Sequence, residues 1–176
     1  MGTTSIRTAL AAGLGAALLL GLASCAAAKG PAEPDGLQIR PVLAMAADAD
    51  CEAADTGPDP AEPLTACDDT GEGYRLGPAE VDAADVSGAA AVPSAPGDPW
   101  SVRIDLDADG AASLAELTAR LQDHPAGDPR NRLALVLDGR VIAAPAVYAA
   151  ITGGQVLVAG DFTEEEATRL AERLGR

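Results

Sequence analysis

The side chains with spacing suited to chemistry begin with a set of acids. Asp105-x-Asp107-x-Asp109-Gly110-x5-Glu116 has the full spacing of a one-loop calcium site. Carboxylates at loop positions 1, 3 and 5, a glycine at 6 and a bidentate glutamate at 12 give calcium its hard oxygen ligands. Two features oppose that reading. The entering segment, Trp100 to Leu106, alternates like a strand where a calcium loop needs a helix, and position 8 is Ala112 rather than a large aliphatic residue. In the competing reading these acids open a helix and sit at its positive end. A calcium-binding surface protein using Asp105, Asp107, Asp109 and Glu116 is therefore the alternative function.

The cysteines divide by position. Cys25 ends Leu22-Ala23-Ser24-Cys25, behind an uncharged Ala/Leu/Gly run over residues 9–23 and a single basic Arg7. That run falls short of the roughly 20 residues of a membrane span. The pattern resembles the bacterial lipobox, in which small side chains fit the peptidase groove and the thiol is joined to diacylglycerol. The expectation is a lipoprotein signal peptide over 1–24, a lipidated Cys25 carrying acyl chains such as palmitate, and a flexible tether over 25–36. This places the protein on the extracytoplasmic face of a cell membrane. Disulfides persist there, and with Cys25 taken by lipid, Cys51 and Cys67 remain as the pair. They bracket a polar, proline-rich stretch within an acidic loop, 47–72. Their spacing is not the Cys-x-x-Cys of a redox motif.

Catalytic constellations are missing. His124 is the one histidine, in a loop before Pro125, and no serine has a base beside it. Carboxylates are plentiful, but nothing singles out a pair, and the aromatics that bind sugar rings are absent. No cofactor is implied, and the protein reads as a non-enzyme, with an envelope hydrolase ranked last. The 176 residues carry 27 acids against 12 bases, a formal charge of −15, and their four aromatics (Tyr74, Trp100, Tyr148, Phe162) are scattered. Such a chain repels phosphate backbones and offers no stacking platform, which excludes nucleic acid as a partner. Removing residues 1–24 takes away Arg7 and no acid, leaving 11 bases, 27 acids and a charge of −16.

The elements that position these residues follow from hydrophobic periodicity. Leu37 to Met45 alternates in part, with Gln38 and Arg40 between apolar neighbours, and reads as a strand. Residues 46–72 read as loop, Tyr74-Arg75-Leu76 as a short extended piece, and 79–99 as mostly loop. Val102, Ile104 and Leu106 mark a strand; Leu114, Leu117, Thr118 and Leu121 mark a helix over 111–123. Leu133–Leu137 and Arg140–Ala143 flank Asp138-Gly139, a type I′ hairpin signal. Gly153-Gly154 is a turn before a strand over 155–159. Thr163 and Glu166 form a capping box for a helix carrying Ala167, Leu170, Ala171 and Leu174. The whole predicts an α+β domain over 37–176, a small, mainly antiparallel sheet covered by two helices.

The stretch RNRLALVLDGRVIAAPAVYAAITGGQVLVAGDFTEEEATRLAERL, residues 130–174, resembles the head subdomain of the first periplasmic domain of SecD. SecD is the membrane protein-export factor that assists the Sec translocon. The likeness is carried by Val136-Leu137-Asp138-Gly139, Val141-Ile142, Ala144-Pro145, Ile151, Gly153-Gly154, Gly160, Phe162-Thr163, Glu165-Glu166-Ala167 and Leu170-Ala171. Upstream, Tyr74-x-Leu76-Gly77-Pro78-Ala79-Glu80-Val81 and Ile39-Arg40-Pro41-Val42 also resemble family segments. Asp161 and Tyr148 depart from it, each standing where the family commonly has asparagine. The family's strand and helix at 101–121 carry no calcium. No transmembrane helix follows the signal in this chain, so the proton-coupling carboxylate of a motor is not expected. The resemblance implies a head-like surface contacting exported or envelope polypeptides, and the Sec translocon or an envelope protein as partner. The candidate contacts are Asp138, Gly139, Pro145, Tyr148, Gly153 and Gly154, with exposed sheet edges available for backbone pairing.

Overall fold

The computed structural model describes residues 36–52, 57–93 and 99–175. The expected signal peptide, Cys25 and the expected tether up to residue 35 lie outside the described residues. The chain order is β1 (Leu37–Met45), β2 (Leu64–Cys67), β3 (Gly73–Leu76), β4 (Val81–Asp82), β5 (Val86–Pro93), β6 (Trp100–Leu106), α1 (Ala108–Leu121), β7 (Leu133–Leu137), β8 (Arg140–Ala143), β9 (Gln155–Phe162) and α2 (Glu164–Leu174). The fold is α+β: the strand pairs are antiparallel and two helices accompany them. The strands divide into a larger sheet, β2-β3-β1-β7-β8 with β4 also on β1, and a smaller one, β5-β6-β9.

β1 is the centre of the larger sheet. On one side it pairs with β7, from Leu37 opposite Leu137 to Pro41 opposite Leu133. On the other it takes β4 at Gln38 and Ile39, then β3 from Val42 onward. Between β3 and β4 the chain steps out at residues 77–80, yet the Gly77 N–H still reaches the Pro41 carbonyl (3.0 Å) and the Glu80 N–H that of Ile39 (3.0 Å).

β7, Leu-Ala-Leu-Val-Leu, is buried throughout, which explains its unbroken apolar run. Leu133, Leu135 and Leu137 enter a main core with Leu37 and Ile39 of β1, Leu114, Leu117 and Leu121 of α1, Val102 and Ile104 of β6, and Ala167, Ala171 and Leu174 of α2. Ala134 and Val136 point the other way, into a second cluster with Val42, Leu64, Ala66, Tyr74, Leu76 and Val141. Both helices thus present the faces expected from their spacing.

The polar members of β1 are buried as well. Arg40 is 0% exposed and Gln38 1%. The Arg40 guanidinium donates to Gln38 Oε1 (2.8 Å) and to the carbonyls of Asp59 (2.9 Å), Glu62 (2.7 Å) and Gly77 (2.8 Å). Gln38 Nε2 donates to the Pro58 carbonyl (2.8 Å). One arginine thus gathers the 58–62 segment and the step at Gly77 against the central strand. Burial lowers its pKa, a shift that the nearby Asp59 carboxylate opposes.

The same segment is closed covalently by the Cys51–Cys67 disulfide. Next to Cys67, the Asp68 carboxylate accepts from the Thr70 hydroxyl (2.7 Å), from the N–H groups of Glu72 (2.9 Å) and Thr70 (2.9 Å) and from the Tyr74 hydroxyl (3.0 Å). Burial opposes ionisation of Asp68, but these bonds outweigh it and its pKa is lowered.

Several boundaries differ from the sequence expectations. β2 lies where 46–72 reads as loop, and β4, a short 3₁₀ turn and β5 lie where 79–99 does. β5 is Val-Ser-Gly-Ala-Ala-Ala-Val-Pro, whose Ala/Gly content has little strand preference. Its partner β6 imposes the conformation through the pairs from Val86–Leu106 to Pro93–Trp100. α1 begins at Ala108 rather than 111, because Asp107 caps it, accepting from the Gly110 N–H (2.8 Å). β9 runs past 159 to Phe162 across an irregularity in its pairing with β6.

Arg40→Met leaves the Glu62 and Gly77 carbonyls and Gln38 Oε1 without this donor, while the Asp59 carbonyl keeps the Glu62 N–H (3.2 Å), so the unfolding free energy from urea titration should fall by about 3 kcal/mol or more. Arg75→Met, which removes an exposed pair with Asp48, should change it by less than about 0.5 kcal/mol. In the Cys51→Ser/Cys67→Ser variant, reopening the loop should cost about 3 kcal/mol. A reductant should destabilise the parent protein by a similar amount and leave the variant unaffected.

Candidate functional site

The six candidate contact residues occupy three separate places. The first is the tip of the β7–β8 hairpin. Asp138 has φ 49° and Gly139 φ 77°, the left-handed pair that a type I′ turn requires. Arg173 of α2 donates to the Asp138 carboxylate and ties the tip to the helix.

The second place is the opposite end of that hairpin, about 17 Å away for five residues of strand. The Leu133 N–H donates to the Pro145 carbonyl (3.2 Å) and the Val147 N–H to that of Asn131 (2.8 Å). Asn131, 3% exposed, fixes the junction. Its Nδ2 faces the carbonyls of Leu121 (3.1 Å), His124 (3.2 Å) and Val147 (2.9 Å), which sets the orientation of the amide. The end of α1 and the segment after β8 are thereby joined. Pro145 is exposed, and Tyr148, just beyond the buried Val147, is 82% exposed.

The third place is the start of α1. The Leu106 N–H donates to the Gly154 carbonyl (2.8 Å). Gly154 has φ 65°, and a Cβ there would stand 2.9 Å from that of Ala111. Gly154 is thus demanded by packing, while Gly153 is exposed. Between the second and third places, Thr118 donates to the Leu114 carbonyl (2.7 Å) and accepts from the Ile151 N–H (2.9 Å). Tyr148, Pro145 and Gly153 are the members of the set open to a partner; Gly139 and Gly154 are buried.

The calcium reading meets a different geometry. Asp105 ends a strand and accepts from Arg103 Nε (3.1 Å) and Gln155 Nε2 (2.7 Å). Asp107 is the helix cap, Asp109 lies in the first turn, and Glu116 is on the helix. Among the described residues no three His, Cys, Asp or Glu side chains converge on a metal position. The spacing that matches a calcium loop is here a strand end followed by a capped helix.

One surface escaped the sequence reading. β5 forms one edge of the smaller sheet, and α2 runs beside it in the opposite sense, from Trp100 at one end to Gly175 against Ala89 at the other. Between them lies a groove of about 540 Å³. Residues 88–91 (Gly-Ala-Ala-Ala) line one wall, and Glu164, Thr168 and Glu172 the other. Side chains this small give no hydrophobic alternation, so no signal in the sequence marks the strand. The acids of α2 were legible only as a charge cluster at a helix start.

The model of the SecDF P1 head subdomain matches residues 61–175. The SecD subunit of the protein translocase from Streptomyces coelicolor is 36% identical over 128 residues, 69% of this chain and 22% of that protein. The SecDF subunit from Thermus thermophilus is 38% identical over 96 residues, 54% of this chain and 12% of that protein. Two solved structures are similar at 27% identity over 82% of this chain. SecDF in its Super-membrane-facing form gives a TM-score of 0.55 with 19% of its chain covered, and a second SecDF, described as a membrane component that enhances protein export, gives 0.54 with 63% covered. Among the described residues no helix is long and apolar enough to cross a membrane.

Thr118→Val removes the acceptor of the Ile151 N–H while keeping the shape of the side chain. Stability should fall by about 1–2 kcal/mol. Exchange of the Ile151 amide with deuterated solvent should accelerate more than that of the β7 amides; equal acceleration would show that Thr118 does not anchor this segment.

Proposed function

The chain belongs to the SecDF P1 head subdomain family, and on that premise we propose a function for it outside the cytoplasm. Held to the membrane by acyl chains on Cys25, it presents a non-enzymatic, head-like surface to exported or envelope polypeptides. The observation that carries this reading is the family match over residues 61–175, joined to a structural likeness to SecDF over 82% of the chain. The relatives are protein translocase subunits. The chain spans about a fifth of the Streptomyces coelicolor subunit (22%) and of the first SecDF structure (19%). Action alongside the Sec translocon is part of the same proposal.

The chemistry of the chain supports this assignment. Lipid on Cys25 provides the membrane affinity that a domain of charge −16 cannot draw from basic residues. Anionic headgroups repel that charge and hold the domain off the surface. The Cys51–Cys67 disulfide suits a compartment where thiols oxidise. With few exposed large apolar side chains among the described residues (Leu43, Tyr148 and Leu157), contacts with polypeptide are weak and transient.

The test is made in cells. A photo-crosslinking residue at Tyr148 should trap secreted or envelope polypeptides, and one at Ala126, in the 124–131 loop, should trap markedly fewer. Cys25→Ala should move the protein from the membrane fraction to the soluble one. Equal trapping at the two positions would remove the contact assignment; unchanged membrane retention of Cys25→Ala would remove the lipid anchor.

A further inference from the structure

A pocket of about 250 Å³ opens between the end of β1 and the last turns of α1. Pro41 and Leu43 line one side, Leu117 and Leu121 the other. Leu117 and Leu121 belong to the main core, whereas Leu43 is 50% exposed. The core therefore continues outward into a recess at this end of the molecule. Its volume lies below the roughly 300–1,000 Å³ of small-molecule sites and suits a single large apolar side chain.

The rim of the pocket is basic on a domain of charge −16. Arg120, His124 and Arg130 line it beside one acid, Glu80. Each arginine is steadied by a carboxylate and still holds donors in reserve. Arg120 engages Glu80 through Nη2 alone, and Arg130 engages Asp128 through Nε (3.1 Å) and Nη2 (2.8 Å). Among the described residues Nη1 of neither arginine has a hydrogen-bond partner. A guanidinium carries five N–H donors, so each can take a second carboxylate and keep its first. The pocket also adjoins the exposed segment after β8. Asn131 Nδ2 bonds the carbonyls of both His124 (3.2 Å) and Val147 (2.9 Å). Those two oxygens thus stand within about 6 Å of each other, and Tyr148 follows directly.

We propose that this pocket receives one large apolar side chain of a polypeptide, while an aspartate or glutamate next to it in that polypeptide accepts from Arg120 or Arg130. The apolar side chain supplies most of the affinity, as an anchor in a desolvated recess does. The carboxylate supplies selectivity, because acids without such an anchor are repelled by the rest of the surface. The inference rests on the reading of the protein as a polypeptide-contacting head. It gives that contact a second point beside Tyr148 and a sequence preference.

The experiment titrates short peptides into residues 25–176 carrying Cys25→Ala, which hold the whole described fold. Binding is followed in amide nitrogen–proton correlation spectra, which register weak contacts. The peptides are Ser/Gly/Thr sequences that differ only at one central pair: Phe-Glu, Phe-Lys or Ser-Glu. Phe-Glu should bind about tenfold more tightly than Ser-Glu and about threefold more tightly than Phe-Lys, with the His124 amide among those that shift. Leu43→Ser, at a half-exposed position, should weaken both Phe peptides about fivefold. Arg120→Gln/Arg130→Gln should erase the preference for Phe-Glu over Phe-Lys, and Arg169→Gln should keep it. Urea titration checks that each variant is folded. Equal binding of Phe-Glu and Ser-Glu, or a preference that survives in the double variant, would overturn the assignment. So would shifts of the same amides on raising the protein concentration alone, which would give the pocket to a second copy. A reduced, alkylated unfolded protein, titrated in parallel, separates the two levels. If it binds the parent and Leu43→Ser alike, the pocket is wrong and the polypeptide-contact reading stands. If it binds neither, both fall.

Discussion

The architecture depends on a charge placed where charges are costly. Arg40 lies on the central strand with no exposed surface. A guanidinium in that position is tolerable only with its N–H groups satisfied, since removing it from water costs several kcal/mol. The satisfaction comes from backbone carbonyls of Asp59, Glu62 and Gly77, with Gln38 as the side-chain acceptor. Segments that could not pack by apolar contact, being rich in proline and acid, are thereby held to the sheet by a cation. The disulfide between Cys51 and Cys67 restricts the same segment from its ends. The step at residues 77–80, which separates β3 from β4, is pinned by the same side chain.

This arrangement shows where the sequence was legible and where it was not. β6, β7, β8 and both helices were readable because their side chains alternate at a period of two or recur at the helical interval against one core. The Asp138-Gly139 turn was readable because few residue pairs accept two left-handed conformations. Gln38 and Arg40 gave the opposite impression. Polar residues between apolar ones look like the wet face of a strand, and only distant carbonyls make that face dry. β5 was missed for a different reason: alanine and glycine carry too little apolar surface to show which way a strand faces.

The candidate site divides along the same line. Pro145, Tyr148 and Gly153 are exposed as a contact surface needs, whereas Gly154 is fixed by its close approach to Ala111. The family-like residues around the hairpin thus serve two ends, and likeness alone does not separate them. The acids at 105–109 make the point in reverse. Their spacing matched a calcium loop, but a strand end and a helix cap use the same residue types because a carboxylate can accept from arginine, glutamine or a helix N–H.

The pairing of β1 with β7 sets a condition on how the molecule is made. Leu37 lies opposite Leu137, so the central ladder joins segments from the two ends of the domain. A chain delivered across a membrane from its N-terminus presents β1 early and β7 late. The hairpin partners β3 and β4 arrive soon after β1, and the cysteines sooner still, so local closure precedes the main core. The larger sheet, with α1 and the smaller sheet packed on it, is completed only once nearly the whole domain has emerged. Such long-range contact makes folding slow relative to helical domains of this size. On the proposed route out of the cytoplasm, the wait between the first strand and its partner is itself an interval as an unfolded, exported chain.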